Sequence, residues 1–435
     1  MKGPRIREAI DRSINLPRID ALARAVAKWS TLSVVVGVCT GTLVALFLAG
    51  LDLVTELHWR NPWLLYLLPI AGVFSVWMYR LAGKEADRGN NLILEEIHHR
   101  SQGVPVRMAP LVLIGTWLTH LFGGSAGREG TAVQMGAAIA AGLGRWLSLS
   151  QVDVRTLLLC GVAAGFGAVF GTPVAGAVFA LEFLVRGRVA SRLVVPCFIA
   201  AFVGDRITLL WGIKHTPYAI EAIYEPHGTS VIKVVLAAIC FGLAGLLFSE
   251  STHFVQRLLK KWVAKDWLRP VFGALVVIGL VHLLGTRDYL GLGVSAPLDR
   301  PNAVTIQSAF QSGGAGAASW LWKLIFTAIT VGSGFKGGEV TPLFFIGATL
   351  GHSLGLALGI PVGLMAALGF VAVFAGATKT PIASFIMAIE LFAPHSPDAM
   401  RGGFVIYAAI ACFVANAVSG SSSIYRSQKH AEEDL

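Results

Sequence analysis

Apolar runs of membrane-spanning length recur along this chain, and no other feature limits its fold as strongly. "TLSVVVGVCTGTLVALFLAGLDLV" begins at Thr31 and "PWLLYLLPIAGVFSVWMYRLAG" at Pro62, each long enough to cross a bilayer as a helix. Charged residues make up only 14% of the chain, against about 25% in soluble domains. Such a sequence predicts a multi-pass membrane protein.

The N-terminal stretch "MKGPRIREAIDRSINLPRIDALARAVAKW" has basic residues but no short apolar core followed by a cleavage site. It reads as an amphipathic interfacial helix over residues 1–30, and its arginines favour a cytoplasmic start. The formal net charge of +10 then needs no nucleic-acid partner. Basic loops facing an anionic cytoplasmic leaflet account for it. The five cysteines, Cys39, Cys160, Cys197, Cys240 and Cys412, stand singly in apolar runs. That spacing predicts packing residues, with neither a zinc site nor a disulfide framework.

Several apolar segments are interrupted by Gly or Pro, at 123–130, 165–173, 332–342 and 376–381. Broken helices are tolerated at membrane depth only where protein or a polar cavity satisfies the freed backbone groups. The breaks also repeat. "GREGTAVQMGA" from Gly127 and "GEVTPLFFIGA" from Gly338 share their first glycine and a Gly-Ala nine and ten residues on. "TPVAGAVFALEF" from Thr172 and "TPIASFIMAIEL" from Thr380 share Thr-Pro, an alanine, and a glutamate ten residues after the threonine. Two matched blocks in the same order predict two related halves, 31–213 and 230–428, with a linker at 214–229 and a tail at 429–435. Similarity alone leaves open whether the halves run parallel or inverted. Paired broken helices point to a central transport site.

A helix that starts inside the membrane directs free N–H groups and a partial positive charge at whatever lies ahead. Several such starts aimed at one point form an anion site without a full positive charge. "GREGT", "GNNLI" (Gly89–Ile93, with the amide of Asn90) and "GSGFKGGEVTP" are candidate starts. The carboxylate of Glu129 is itself an anion, so it can sit where a transported anion would sit, and by taking up a proton it can link the two movements. Glu339, beside Lys336, reads more weakly as a site residue. Glu182 and Glu390 end apolar helices and are expected to reach headgroup water, and Lys379 is expected to be a loop charge.

Other chemistry is disfavoured. In "GSGFKGGE" the lysine precedes glycines, not the Ser or Thr of a phosphate-binding loop. The eleven histidines include the pair His98 and His99 without a second spaced pair, so no metal site is expected. "GGSAG" at Gly123 is the nearest approach to a nucleophile elbow and has no convincing base partner.

Taken together, "GREG", "FGTPVAGAVFALE", "GGEVTP" and "KTPIASFIMAIEL" resemble the CLC anion channels and transporters from about residue 30 to 428. The resemblance implies an all-α fold of two inverted halves whose broken helices meet at a central anion pathway. It also implies a homodimer with a pore in each subunit, a gating glutamate at Glu129 flanked by Gly127, Arg128 and Gly130, and a pore tyrosine at Tyr425. The sequence departs from the chloride pattern. "GNNLI" stands in place of Gly-Ser-Gly-Ile-Pro, Thr131 follows the gating motif instead of proline, and Phe183 occupies the position of the exchangers' inward proton glutamate. With the Glu339–Val340–Thr341 triplet, these departures resemble the fluoride-specific bacterial branch, in which the glutamate and threonine belong to the pore and proton pathway.

Fluoride holds its water tightly, so its site must return strong donors. Asn90 and Thr341 are donors, and the weakly positive ring edges of Phe344 and Phe345 are candidate further contacts, although both rings are expected to face lipid or pack. The expectation is a dimeric fluoride/proton antiporter of the bacterial inner membrane, with cytoplasmic termini, exporting fluoride and needing no cofactor. A CLC chloride or nitrate exchanger, a passive CLC-type channel and an intramembrane enzyme are the alternatives.

Overall fold

The computed structural model describes residues 16–98, 103–184, 191–220, 225–297, 299–396, 403–425 and 427–428. Fifteen α-helices lie among them. The first half contributes α1 (Leu16–Arg60), α2 (Leu68–Ala82), α3 (Asn90–His98), α4 (Met108–Leu121), α5 (Glu129–Trp146), α6 (Gln151–Phe170), α7 (Pro173–Leu184) and α8 (Ser191–Leu210). The second contributes α9 (Gly228–Trp262), α10 (Arg269–Leu284), α11 (Ser319–Gly332), α12 (Val340–Leu358), α13 (Val362–Thr378), α14 (Pro381–Phe392) and α15 (Gly403–Val418). Seven spans among the described residues are long and apolar enough to cross a membrane, and the other apolar helices are shorter. That unevenness was expected from the Gly and Pro interruptions.

The stretch expected on the interface differs in one respect. From Leu16 onward it is continuous with the first membrane helix, giving α1 45 residues, or about 68 Å at 1.5 Å per residue. Residues 1–15, and the tail expected at 429–435, lie outside the described residues.

The two halves use the same local devices. Pro173 and Pro381 open α7 and α14, where a missing N–H is no loss. The preceding helices, α6 and α13, both end on a left-handed residue, Gly171 (φ 73°) and Lys379 (φ 62°). Lys379 is therefore a helix cap, not the loop charge expected of it. It is buried, and its ammonium donates to Ser419 Oγ at 2.5 Å. Within each half, one close helix pair carries glycine at the crossing. A methyl on Gly136 of α5 would overlap the Gly161 carbonyl of α6, and one on Gly347 of α12 would overlap that of Gly369 in α13. The backbones of these two pairs thus pack directly on each other.

Candidate ion pathway

The two loops meet in an antiparallel bridge between Gly127 and Gly338, the equivalent first residues of the repeated blocks. Gly127 N donates to Gly338 O at 2.5 Å, and Gly338 N to Gly127 O at 2.7 Å. Glycine is required by the approach: a Cβ on Gly338 would stand 2.8 Å from Gly130 N. The bridge places the start of α5 beside the start of α12 and aims both at the same space.

Glu129, the first residue of α5, turns its carboxylate onto the start of α12. Oε2 accepts from Thr341 N at 3.0 Å and from Arg128 N at 3.1 Å, while Oε1 accepts from the Thr341 hydroxyl. The residue is 1% exposed. Arg128 Nε lies 3.6 Å from Oε1 and makes no hydrogen bond among the described residues. A carboxylate held by backbone N–H groups at a helix start occupies an anion site.

Cavities lie on either side of this carboxylate. A chamber of about 20 Å³, lined by Arg128, Glu129, Phe170, His215, Tyr218 and Thr341 among others, is next to it. That is room for about one water. Beyond Arg128 a vestibule of about 770 Å³ opens at the C-terminal end of α1, among His58, Arg128, Arg287 and Arg300. On the other face a second vestibule, about 730 Å³, is lined by Asn90, Gln134, Glu339 and Tyr425. Glu129 lines the small chamber and neither large vestibule.

Asn90 begins α3, and its Oδ1 is buried without a hydrogen-bond partner among the described residues. A Cβ built on Gly130 would stand 3.3 Å from Asn90 Nδ2 and 3.9 Å from Glu339 Oε2. The amide and the second carboxylate therefore converge on the backbone of Gly130, facing the second vestibule. Val340 is buried in the first turn of α12, between Glu339 and Thr341. Tyr425 lies against the edge of Phe183, with ring centroids 4.9 Å apart and planes at 86°. Phe183 is fully buried, so the side chain that Tyr425 meets there is apolar.

The two phenylalanines part company, and neither faces lipid. Phe344 lines the chamber at Glu129 and stacks on Phe370 at 3.9 Å. Phe345 packs away from it, under the Lys323 ammonium and edge-on to Tyr289. Sequence reasoning missed Phe170, Tyr218 and Phe370 on the chamber wall and Gln134 in the second vestibule. Phe170 ends the helix before the first Thr-Pro break, a position that could have signalled it. Gln134 lies one turn beyond Glu129 and had no such mark.

Glu182 does not reach headgroup water, and Glu390, half-buried, is held by backbone N–H groups. Glu182 is 1% exposed. Its carboxylate accepts from Ile382 N at 3.2 Å and Ala383 N at 2.9 Å, at the start of α14. The carboxylate of Glu390 accepts from Val174 N at 2.9 Å and Ala175 N at 2.7 Å, at the start of α7. Lys336 is likewise not the partner of Glu339. It pairs with Asp87 and lies 4.4 Å over the ring of Tyr79.

The sequence matches a family model described as "Voltage gated chloride channel" over residues 71–420. It is 45% identical over 406 residues to a "Chloride/fluoride channel protein" of Pseudomonas syringae pv. tomato, covering 93% of this chain and 87% of that one. The fold matches the crystal structure of a CLC-type fluoride/proton antiporter with a TM-score of 0.85 and 34% identity, over 93% of this chain and 98% of the other. It also matches a slow cyanobacterial Cl−/H+ antiporter with a TM-score of 0.75 and 21% identity, over 91% and 96% of the two chains; at that identity the likeness concerns the fold alone.

Proposed function

Since this chain belongs to the voltage-gated chloride channel family, CLC, a family of ion channels and transporters and not of enzymes, we propose that it is a fluoride/proton antiporter. It exports cytoplasmic fluoride through a pathway within each subunit of a homodimer in the inner membrane. The termini are cytoplasmic, so the vestibule at the end of α1 is the outer one and the vestibule at Asn90 the inner one. The halves are 31–213 and 230–428, joined by the linker at 214–229.

The observation that carries this reading is the seat of Glu129. Its carboxylate fills the donors of Thr341 and Arg128, which are the donors a dehydrated anion would need. When the carboxylate takes a proton it loses its charge and its hold on those donors, and an anion can replace it. Swapping the two anions at one site ties fluoride movement to proton movement. On the inner side, Asn90 supplies an amide donor to fluoride, and Glu339 with Thr341 forms the inner proton relay and a further anion contact. Tyr425 lines the inner pathway, and Phe344 presents its ring to the chamber.

Fluoride is favoured over chloride by the amide at Asn90 and by Phe183, and by likeness to relatives named for fluoride. The test is efflux from proteoliposomes loaded separately with fluoride or chloride, with internal pH followed in the same trace. Fluoride leaving while protons are driven against their gradient supports the antiporter. Fluoride flux that cannot drive protons means a channel, and equal chloride flux means a general CLC exchanger.

A further inference from the structure

Asp205 and His215 form a buried acid–imidazole pair that the roles above leave unused. Asp205 lies on α8, five residues before its end, and is 3% exposed. His215 follows in the linker with its side chain 19% exposed. His215 Nε2 stands 3.7 Å from Asp205 Oδ1, beyond a direct hydrogen bond. Both atoms are buried without a hydrogen-bond partner among the described residues, as is the hydroxyl of Thr172. Thr172 follows Gly171, on which the imidazole packs: a Cβ there would be 3.0 Å from Nε2. Orphaned buried polar atoms on adjoining elements call for water or a shared proton.

The same imidazole lines the chamber at Glu129. The outer vestibule reaches that chamber through residues the two share: Arg128, Thr216 and Val294. A guanidinium on that threshold suits a departing anion and opposes an incoming proton. A proton that avoids the guanidinium needs another group on the chamber wall, and His215 lines that wall.

We propose that His215, with Asp205 behind it, is the outer proton relay to Glu129. This rests on the antiporter reading. A proton from the outer solution binds the imidazole, and Asp205 balances the transient imidazolium. The proton then passes through the single water the chamber accommodates to a Glu129 carboxylate oxygen, leaving His215 neutral. One proton moves and nothing else changes. The charged and titratable groups around the pair are Arg206, whose Nε is 3.7 Å from Asp205 Oδ2 and whose side chain is largely solvent-exposed, and Glu390, which is occupied with the start of α7. On the chamber side they are Arg128, Glu129 and the Tyr218 hydroxyl. Fluoride and the proton thus use separate outer doors, fluoride past Arg128 and the proton past His215.

The experiment compares wild type, His215→Gln and Asp205→Asn in proteoliposomes, recording fluoride efflux and proton uptake over a series of external pH values. Protein-free vesicles provide the leak of hydrogen fluoride. Both variants are expected to turn over at least roughly tenfold more slowly than wild type at alkaline external pH. That deficit should shrink as external protons become abundant enough to reach Glu129 directly. A slowing by the same factor at every pH, or no slowing, overturns the relay. If His215→Gln yields no folded protein, the profile of the nearly isosteric Asp205→Asn decides by the same criteria. Wild type that carries fluoride without moving protons sinks the antiporter reading itself, whereas coupled wild type with pH-independent variants sinks the relay alone.

Discussion

Glu182 and Glu390 each close the first turn of the helix that carries the other. Glu182, near the end of α7, holds the N–H groups of Ile382 and Ala383 at the start of α14. Glu390, near the end of α14, holds those of Val174 and Ala175 at the start of α7. The two helices therefore lie antiparallel, each supplying carboxyl oxygens to the unsatisfied N–H groups of the other's start. The exchange joins the two halves near the floor of the ion pathway, since α7 also carries Phe183, against which Tyr425 rests.

Removing Glu182 takes the acceptor from two helix-start N–H groups, that of Ala383 buried and that of Ile382 partly so. Glu182→Ala should cost on the order of 2–4 kcal/mol, at about 1–3 kcal/mol per group and partly offset by relaxation. Glu182→Gln, which keeps one acceptor, should cost about half. Unfolding of the detergent-solubilised protein would register the order wild type, Gln, Ala. An alanine variant as stable as wild type would show that the caps contribute nothing.

Glu129→Gln keeps the shape of the side chain and removes its titration. Proton movement driven by a fluoride gradient should drop by at least about 100-fold, the usual loss for a missing acid–base group. Full coupling in this variant would exclude Glu129 as the proton carrier.

At Asn90 the expectation concerns selectivity. Replacement by Ala withdraws the amide donor from the inner approach, a loss of roughly 1.5–3 kcal/mol for a hydrogen bond to a charged partner. Fluoride, which demands stronger donors, should suffer more than chloride. The ratio of fluoride to chloride efflux should fall about tenfold, and an unchanged ratio would remove Asn90 from the selectivity argument.

The bridge at the centre has no room for side chains. In Gly338→Ala the methyl would come 2.8 Å from Gly130 N, and overpacking of this kind costs typically 1–3 kcal/mol. Because the displaced backbone carries Glu129, fluoride flux should fall further than the loss of stability explains. Measuring flux per folded molecule separates the two.

Asp87 and Lys336 tie the loop before α12 to the 3-10 segment Lys84–Arg88. The Lys336 ammonium holds the Asp87 carboxyl below the ordinary carboxylate range. Since the folded value is depressed, the pair stabilises the fold at neutral pH. That contribution disappears as pH falls from the ordinary carboxylate value through the folded one. Asp87→Asn should remove this pair's share of the acid-side slope, and Lys336→Met should remove at least as much, because the burial left acting on Asp87 then opposes its charge. A double mutant no different from either single one would show that they act together.

Much of the pathway was legible along the chain. Gly127 and Gly338 matched in register, and Glu129 stood out as a carboxylate between glycines at a helix start, while Glu339 read weakly until the resemblance raised it. Phe344 and Phe345 could not be separated, because adjacent helical residues differ only by rotation about the axis. The bundle put one at the chamber and the other beneath Lys323. The capping roles of Glu182 and Glu390 were hidden for a similar reason: their partners lie about 200 residues away. His215 gave no signal at all, being a lone histidine in a polar linker.

By itself the sequence determined that the chain crosses a membrane repeatedly, that its helices break in paired places, and that an ionisable carboxylate stands at one break. Those are consequences of local chemistry, since hydrophobic length, backbone satisfaction and helix starts depend on neighbours in the chain. Only the tertiary structure decided which donors that carboxylate holds, which aromatic ring meets it, and that the halves cap one another. Those contacts depend on how packed helices rotate and cross, which follows from the complementarity of whole surfaces and not from any short stretch of residues.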